Sequence, residues 1–104
     1  MPHPCEQDFP LTSTRRRRST GVFTDSNRRE AATRATRAVS EHLTQQIDGI
    51  TCTPPCFKEP PGAFTINVRQ PVRCKRYWFT FFIVVRCWAT ADGSVTLRCR
   101  VPGG

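Results

Sequence analysis

The sequence predicts an α+β fold, in which one amphipathic helix packs on a three-stranded antiparallel meander behind a disordered basic N-terminal arm. Apolar residues recur at helical spacing between about residues 27 and 48, which predicts the helix. Apolar and polar residues alternate, as they do in half-buried strands, at about residues 63–69, 72–90 and 95–101. These elements are predicted to form one small domain over residues 24–104, and residues 1–23 form the arm.

The arm is predicted to be disordered because it combines prolines with a dense block of charge. Its first ten residues include three prolines, and a Ser/Thr cluster precedes the run Arg15-Arg16-Arg17-Arg18. Blocks of like charge are usually disordered interaction tails. Three roles are open for the four arginines: they contact RNA phosphate, act as a nuclear-import signal, or only keep the chain soluble. The run alone does not distinguish these roles.

The predicted helix has an apolar stripe and a charged face. The stripe consists of residues three or four positions apart, namely Ala32, Ala35, Val39, Leu43 and Ile47. Asn27 with Glu30 resembles a helix-capping pair, and Gly49 is typical of a helix end. The charged face includes Arg28, Arg34, Arg37 and Glu41. These arginines form ion pairs on a solvated face, worth about 0.2–0.5 kcal/mol each, or add to a phosphate-binding surface.

A proline-rich connector is predicted over residues 50–62, since this segment contains two Pro-Pro pairs and prolines interrupt regular elements. The first strand follows it, because Phe64, Ile66 and Val68 alternate with polar residues. Gln70-Pro71 is expected to end that strand.

The last two strands are predicted to form a hairpin around Asp92-Gly93, a dipeptide typical of tight turns. Odd-numbered residues of the first of these strands are mostly apolar, whereas its even-numbered residues include arginines and tryptophans. A three-residue loop keeps the apolar residues of both strands on one face, because a slip by one residue would move every side chain to the other face. This register places Trp88 over Arg98 and Arg86 beside Arg100 on the open face.

The chain is strongly basic, which predicts a polyanionic partner. It contains 16 Lys and Arg against 8 Asp and Glu, for a net charge of +8, and all the basic residues except Lys58 and Lys75 are arginine. Arginine binds phosphate through a planar fork of donors and stacks on bases, so we expect a nucleic acid as the partner. Bases of single strands stack on exposed aromatic side chains such as Trp78 and Trp88, and we therefore expect RNA rather than DNA. Alternatively, the exposed aromatic residues stabilise the sheet through cation–π contacts or lie in an interface with a second copy. The predicted nucleic-acid surface consists of Arg15, Arg16, Arg17, Arg18, Arg34, Arg37, Arg76, Trp78, Arg86, Trp88, Arg98 and Arg100.

The chain contains six cysteines, at positions 5, 52, 56, 74, 87 and 99. The first residues lack a hydrophobic signal region, so we expect a protein that is not secreted by the usual route and that keeps its cysteines as thiols or metal ligands in a reducing compartment. Cys87 and Cys99 face each other across the predicted hairpin. They are buried thiols in the reduced state or a cross-strand disulfide in an oxidised one.

A structural zinc site is one use for the remaining cysteines. Cys52 and Cys56 are the best candidate ligands, although their C-x3-C spacing departs from the paired C-x2-C pattern of many zinc sites. Further candidate ligands are Cys74 and His42, and also Cys5 and His3.

The sequence offers little support for an enzyme. It contains no glycine-rich phosphate loop, nucleophile elbow or H-E-x-x-H motif, and its carboxylates are few and scattered. No segment approaches the roughly 20 apolar residues of a membrane span. We therefore predict a non-enzymatic binding protein, with a homodimer as one arrangement of the exposed aromatic face.

In its size, its TRRRR run at residues 14–18 and its CTPPC element at residues 52–56, the chain resembles the small, basic, cysteine-rich accessory proteins of plant RNA viruses. Within that class it is most similar to the first-reading-frame proteins of the sobemovirus group. The resemblance implies RNA binding in the suppression of RNA silencing or in viral movement. It also implies zinc binding and residence in the host cytoplasm or nucleus.

A second class is also similar. A helix followed by antiparallel strands with late cysteines resembles the arrangement of cystatins and cathelicidin prodomains, in which disulfides hold a secreted sheet together. This resemblance implies a protease inhibitor or a cationic defence protein with Cys87 bonded to Cys99, although the Q-x-V-x-G loop is absent from the sequence. A third interpretation is a protein-binding adaptor that uses the exposed aromatic face as its interface.

Overall fold

One long helix lies across one face of an antiparallel sheet of five strands, so the fold is α+β. The computed structural model describes residues 4–81 and 83–102. Strand β1 (Gln7–Gly21) and helix α1 (Thr24–Gly49) come first along the chain. They are followed by three short strands, β2 (Phe57–Lys58), β3 (Thr65–Val68) and β4 (Arg73–Arg76), a 3-10 turn (Trp78–Thr80) and the long strand β5 (Val85–Arg100).

Strand β5 is the centre of the sheet, and every other strand pairs with it. On one side β1 runs antiparallel along its whole length, from Gln7 opposite Cys99 to Gly21 opposite Val85. On the other side β2, β3 and β4 pair with successive parts of β5. The sheet therefore contains five strands but is only three strands wide, and the predicted three-stranded meander is wrong.

The predicted hairpin at Asp92-Gly93 is replaced by a continuous strand, because Gly93 serves helix packing and not a turn. Gly93 lies under α1, where a Cβ atom would overlap Val39 Cγ1 and would lie 3.2 Å from Leu43 Cδ1. Trp88 and Arg98 consequently lie ten residues apart along β5, about 33 Å at the rise of a strand. The predicted stacking of Trp88 over Arg98 does not occur.

Residues assigned from the sequence to a disordered arm form strand β1 instead. Pairing with β1 satisfies the backbone groups along one whole edge of β5, which the predicted meander would have left open. Phe9 and Leu11 pack against the core, and Ser13 and Ser19 are buried beneath the helix. The Ser13 hydroxyl lies 2.6 Å from Nδ1 of His42 on α1. The arm is thus held by both backbone pairing and contacts with the helix.

The core lies between α1 and the inner face of β5. The helix contributes one side chain every four residues, from Ala31, Ala35, Val39, Leu43 and Ile47. Strand β5 contributes alternating side chains, from Val85, Cys87, Ala89, Ala91, Val95 and Leu97. Small residues in the middle of β5 let the helix approach the sheet closely, since bulkier side chains there would hold the two layers apart.

The helix begins at Thr24, earlier than predicted, and Asn27 is not its cap. The N-cap position is Phe23, without a capping side chain. Asn27 is buried, its Nδ2 donates to the Phe23 carbonyl at 2.8 Å, and its Oδ1 accepts from the Ser19 hydroxyl at 2.7 Å. Asn27 therefore fastens the first turn of α1 to β1.

All six cysteines form disulfides, which pair Cys5 with Cys56, Cys52 with Cys99, and Cys74 with Cys87. The prediction of reduced thiols is wrong, and so is the pairing of Cys87 with Cys99. Those two residues lie twelve positions apart on one strand, about 40 Å at the rise of a strand. Three disulfides are typical of proteins from oxidising compartments.

The predicted zinc site, formed by Cys52, Cys56, Cys74 and His42, is also wrong. The three cysteines are bonded in disulfides, and zinc requires free thiolates. Among the described residues, no group of three His, Cys, Asp or Glu side chains is placed to hold a metal ion, and His3 lies outside those residues. Over the same ranges, no helix has the length and apolar character needed to cross a bilayer.

Candidate anion-binding surface

Basic side chains surround Trp88 on the face of the sheet that α1 leaves uncovered. Arg18 on β1 and Arg73 on β4 are the direct partners of Trp88 in register, one on each side. On one side of this row, Arg86 has Lys75 as its partner on β4. On the other side, Arg16 is the partner of Thr90 and lies on the same face of β1 as Arg18. We call this surface the Trp88 platform, defined as Arg16, Arg18, Arg73, Lys75, Arg86 and Trp88.

Strand alternation and one disulfide place these side chains together. Side chains alternate between the two faces of a strand, so every second residue of the arginine run in β1 points to the platform. On β4, Cys74 points inward to its bond with Cys87. Its neighbours Arg73 and Lys75 must therefore point outward, beside Trp88 and Arg86.

Within the described part of the chain, no ion pair balances the charge of the Trp88 platform. The ion pairs of the described residues join Arg28 to Asp25, Arg34 to Glu30, Arg69 to Asp92 and Arg100 to Asp8, and none includes a platform cation. Five cations on one face repel one another and create a positive potential. Such a potential attracts anions to the surface.

Two of the platform cations contact an aromatic ring at the end of the sheet. The Arg86 guanidinium carbon lies 5.2 Å from the centre of the Tyr77 ring, and Lys75 Nζ lies 5.7 Å from it. Arg86 Nε also donates to the Thr20 hydroxyl at 3.2 Å. These contacts orient the cations without neutralising them.

The platform is open and shallow. Three depressions are lined by both Trp88 and Arg16, and two of them also include Pro71 and Arg73. Trp88 itself is half-buried. The Trp88 platform does not form an enclosed cleft for a small substrate. Its open shape suits an extended or planar anionic partner.

No known protein family, curated protein or solved structure matches the chain. The functional assignment therefore depends on the geometry of the molecule.

Charges at the far end of β5 are mixed, unlike those of the Trp88 platform. Arg100 Nη2 lies 3.0 Å from Asp8 Oδ1. Asp8 is also the register partner of Arg98 on β1, and on the other side the Glu59 amide donates to the Arg98 carbonyl. Arg98 and Arg100, which the sequence places in the predicted nucleic-acid surface, thus lie beside the Asp8 carboxylate and far along β5 from Trp88.

Asp92 marks the boundary between the two ends. Its carboxylate accepts hydrogen bonds from Arg69 Nε at 2.6 Å and Nη2 at 2.9 Å, and from the Thr14 hydroxyl at 2.6 Å. These hydrogen bonds, first from Arg69 and then from Thr14, hold the pKa of Asp92 below its usual range. The hydrogen bond to Asp92 in turn raises the pKa of Arg69. Arg69 is therefore neutralised locally, although it lies close to the platform.

The other predicted residues lie outside the platform. Arg15 and Arg17 point to the opposite face of β1, and Arg34 on α1 donates from Nη1 to the Arg18 carbonyl at 3.0 Å. Arg37 is exposed on the helix. Arg76 Nη2 donates to the Thr24 hydroxyl at 2.8 Å.

Sequence reasoning missed Arg73 and Lys75. The signal that could have found them is the short segment RCKR, residues 73–76, in which an inward-facing cysteine forces both of its neighbours to the open face.

Proposed function

We propose that this protein is a non-enzymatic, disulfide-stabilised cationic protein of the defence type that acts in an oxidising compartment and binds an anionic partner on the Trp88 platform. The observation that carries the proposal is the cluster of five cations around Trp88, which no carboxylate of the described residues pairs. We expect the partner to present a series of phosphate groups, because an arginine guanidinium binds one phosphate through two parallel hydrogen bonds.

The disulfides support the choice of an oxidising compartment. Cys74–Cys87 aligns β4 with β5 and so sets Arg73 and Lys75 beside Trp88. Glutathione and thioredoxin keep thiols reduced in the cytosol, where such bonds are rare. A platform that depends on a disulfide fits a protein that works outside the cytosol.

RNA binding is the second candidate, because Trp88 is half-buried and has arginines on both sides. A base stacked on an exposed aromatic ring contributes about 1–3 kcal/mol. Silencing suppression and a viral origin remain predictions of the sequence resemblance, as do the protease-inhibitor and adaptor interpretations. A suppressor working in the cytoplasm would have to keep three disulfides in a reducing environment, which disfavours it relative to the first candidate.

The test compares two double variants that remove equal charge from opposite ends of β5. Arg16→Gln with Arg73→Gln removes platform cations, and Arg98→Gln with Arg100→Gln is the matched control. Binding of the oxidised protein to inorganic polyphosphate and to a single-stranded RNA oligonucleotide is measured over a salt series. We expect the platform variant to bind both probes more weakly, with a log-log salt slope for RNA reduced by about 1.4, at ~0.7 for each lost contact. The control variant is expected to keep most of its affinity.

Equal weakening by both double variants would show that only net charge matters and would overturn the platform. Trp88→Leu then separates the two candidates. Loss of RNA affinity with unchanged polyphosphate affinity would favour base stacking and the second candidate, whereas equal effects on both probes favour the first.

A further inference from the structure

Large apolar side chains are exposed at one end of the sheet. Seven of the described residues are large, hydrophobic and exposed, and all except Phe57 lie at the end where β1 finishes and β5 starts. We call this group the aromatic tip, defined as Val22, Phe23, Trp78, Phe79, Phe81 and Ile83. Trp78 is 76% exposed, Phe81 is 87% exposed and Phe23 is 74% exposed.

Strand register brings the two parts of the aromatic tip to the same end of the molecule. Gly21 on β1 and Arg76 on β4 are both register partners of Val85, so the three residues form one row across the sheet. Val22 and Phe23 follow that row on one side. The segment from Trp78 onward follows it on the other, after the Tyr77 amide donates to the Val84 carbonyl at 3.2 Å.

The backbone holds the aromatic side chains outward. Trp78 begins a 3-10 turn, and Phe81 closes it with an amide hydrogen bond to the Trp78 carbonyl at 2.9 Å. Phe81 adopts a left-handed conformation, with φ 57° and ψ 33°. Bulky residues rarely adopt this conformation, and here it directs a phenyl ring into solvent. Outliers of this kind are concentrated at sites that bind partners.

The aromatic tip is bordered by the Trp88 platform. Tyr77 connects them, because its ring lies 5.4 Å from the Phe79 ring on one side and contacts Lys75 and Arg86 on the other. At the start of α1, Asp25 is the nearby acidic residue, and Arg28 lies 3.9 Å from it. An apolar end surrounded mainly by cations matches the two layers of an anionic bilayer surface, which are acyl chains beneath phosphate headgroups.

We propose that the aromatic tip inserts into the interface of an anionic phospholipid membrane, while the Trp88 platform binds the headgroup phosphates. The proposal deepens the function given above and rests on it, since it names lipid as the source of the phosphate groups. Tryptophan is enriched at the level of the headgroups because its ring is apolar with a polar N–H edge, and phenylalanine side chains are buried just beneath the headgroups by interfacial segments. A symmetric dimer formed through the tip fits less well, because it would bring two sets of Lys75 and Arg86 against each other.

Trp78 is a direct reporter of insertion. The chain has two tryptophans, so in a Trp88→Phe variant all the tryptophan emission comes from the tip. We expect this emission to shift to shorter wavelength when phosphatidylcholine vesicles containing phosphatidylglycerol are added. Vesicles of phosphatidylcholine alone should give a much smaller shift, because they lack net negative charge.

The tip is then tested with Phe81→Asn, which removes the apolar ring but suits the left-handed backbone, since asparagine adopts that conformation readily. The matched control is Phe57→Asn, the same change at an exposed phenylalanine far from the tip. We expect Phe81→Asn to weaken binding to the anionic vesicles by about tenfold and Phe57→Asn to leave it unchanged. Phe79→Ser provides a second tip variant if Phe81→Asn does not form its disulfides.

Three results would overturn this inference and leave the proposed function standing. Polyphosphate binding without vesicle binding would leave the proposed function intact and exclude lipid as the source of the phosphate groups. Equal vesicle binding by Phe81→Asn, Phe79→Ser and the parent would show that the aromatic tip does not insert into the membrane. Sedimentation showing a dimer that the tip variants dissociate would assign the tip to a second copy. Failure to bind either probe would instead overturn the proposed function together with this inference.

Discussion

Gly93 lies directly beneath Val39, so that a Cβ atom on Gly93 would overlap Val39 Cγ1. Val39 is fully buried and has a stiff, branched side chain, so it cannot move aside without disturbing the core. We expect Gly93→Ala to lower the free energy of unfolding by about 1–3 kcal/mol, the usual cost of overpacking. Urea denaturation of the oxidised protein measures the change.

A double-mutant cycle provides the control for this contact. Val39→Ala alone should destabilise the core by leaving a cavity. The double variant with Gly93→Ala should lose less free energy of unfolding than the sum of the two single variants, because the new methyl group fills part of the cavity. A Gly93→Ala protein as stable as the parent would instead indicate that Asp92-Gly93 forms an exposed turn.

The cysteines are expected to give no thiol reaction in the native oxidised protein. After denaturation and reduction all six should react, since each belongs to a disulfide. Peptide mapping should recover the pairs Cys5–Cys56, Cys52–Cys99 and Cys74–Cys87. Thiols that become reactive only after a chelator is added would contradict this pairing and restore the zinc hypothesis.

Removal of the Cys52–Cys99 disulfide should lower the free energy of unfolding more than removal of the Cys74–Cys87 disulfide, because Cys52–Cys99 closes the longer loop. Cys52 and Cys99 are 47 residues apart, whereas Cys74 and Cys87 are 13 apart. Loop-closure entropy gives about 4 kcal/mol for the first bond and about 3 kcal/mol for the second. We therefore expect the double serine variant of Cys52 and Cys99 to be the less stable of the two in denaturant. The reverse order would show that the loss of alignment between β4 and β5 outweighs chain entropy.

Asp92 is expected to make stability depend on pH in the acid range. Its pKa is lowered in the folded protein, chiefly by the hydrogen bond from Arg69, so the unfolded chain binds the proton more readily. The stabilisation is therefore complete above the unfolded pKa of about 4 and is lost as pH falls through the lowered folded value. Asp92→Asn should flatten the acid limb of a stability curve measured by urea denaturation. Parallel acid limbs for Asp92→Asn and the parent would show that the pair with Arg69 does not persist in solution.

Local patterns in the sequence were sufficient for the helix and the class of fold, because residues four apart on a helix share a face whatever surrounds them. They were not sufficient for the sheet. Odd-numbered residues are buried on both sides of Asp92-Gly93, a parity that suits a hairpin with a three-residue loop and a continuous strand equally well. The choice between them depends on Val39 and on β1, which are distant in sequence.

The candidate site was recovered in part for a similar reason. Trp88 and Arg86 follow from alternation within one strand. Arg73 and Lys75 do not, because the Tyr77–Val84 loop changes the parity between β4 and β5. Even-numbered Cys74 and odd-numbered Cys87 consequently point to the same inner face, so counting residues through the loop assigns β4 to the wrong side. The arginine run was misassigned because its charge outweighed the alternation of Phe9, Leu11 and Ser13 before it.

The central position of β5 also determines the order in which the molecule can be assembled. Each of the other strands finds its partner in β5, which is the last of these elements to leave the ribosome. Phe9 cannot meet Leu97, its register partner, until the 88 positions that separate them have been synthesised, and contacts so distant in sequence make folding slow. Cys5 and Cys56 can meet earlier, but Cys52 and Cys74 must wait for Cys99 and Cys87. A cell that makes this protein must therefore keep β1 from aggregating, and Cys52 and Cys74 from mispairing, until β5 has been synthesised.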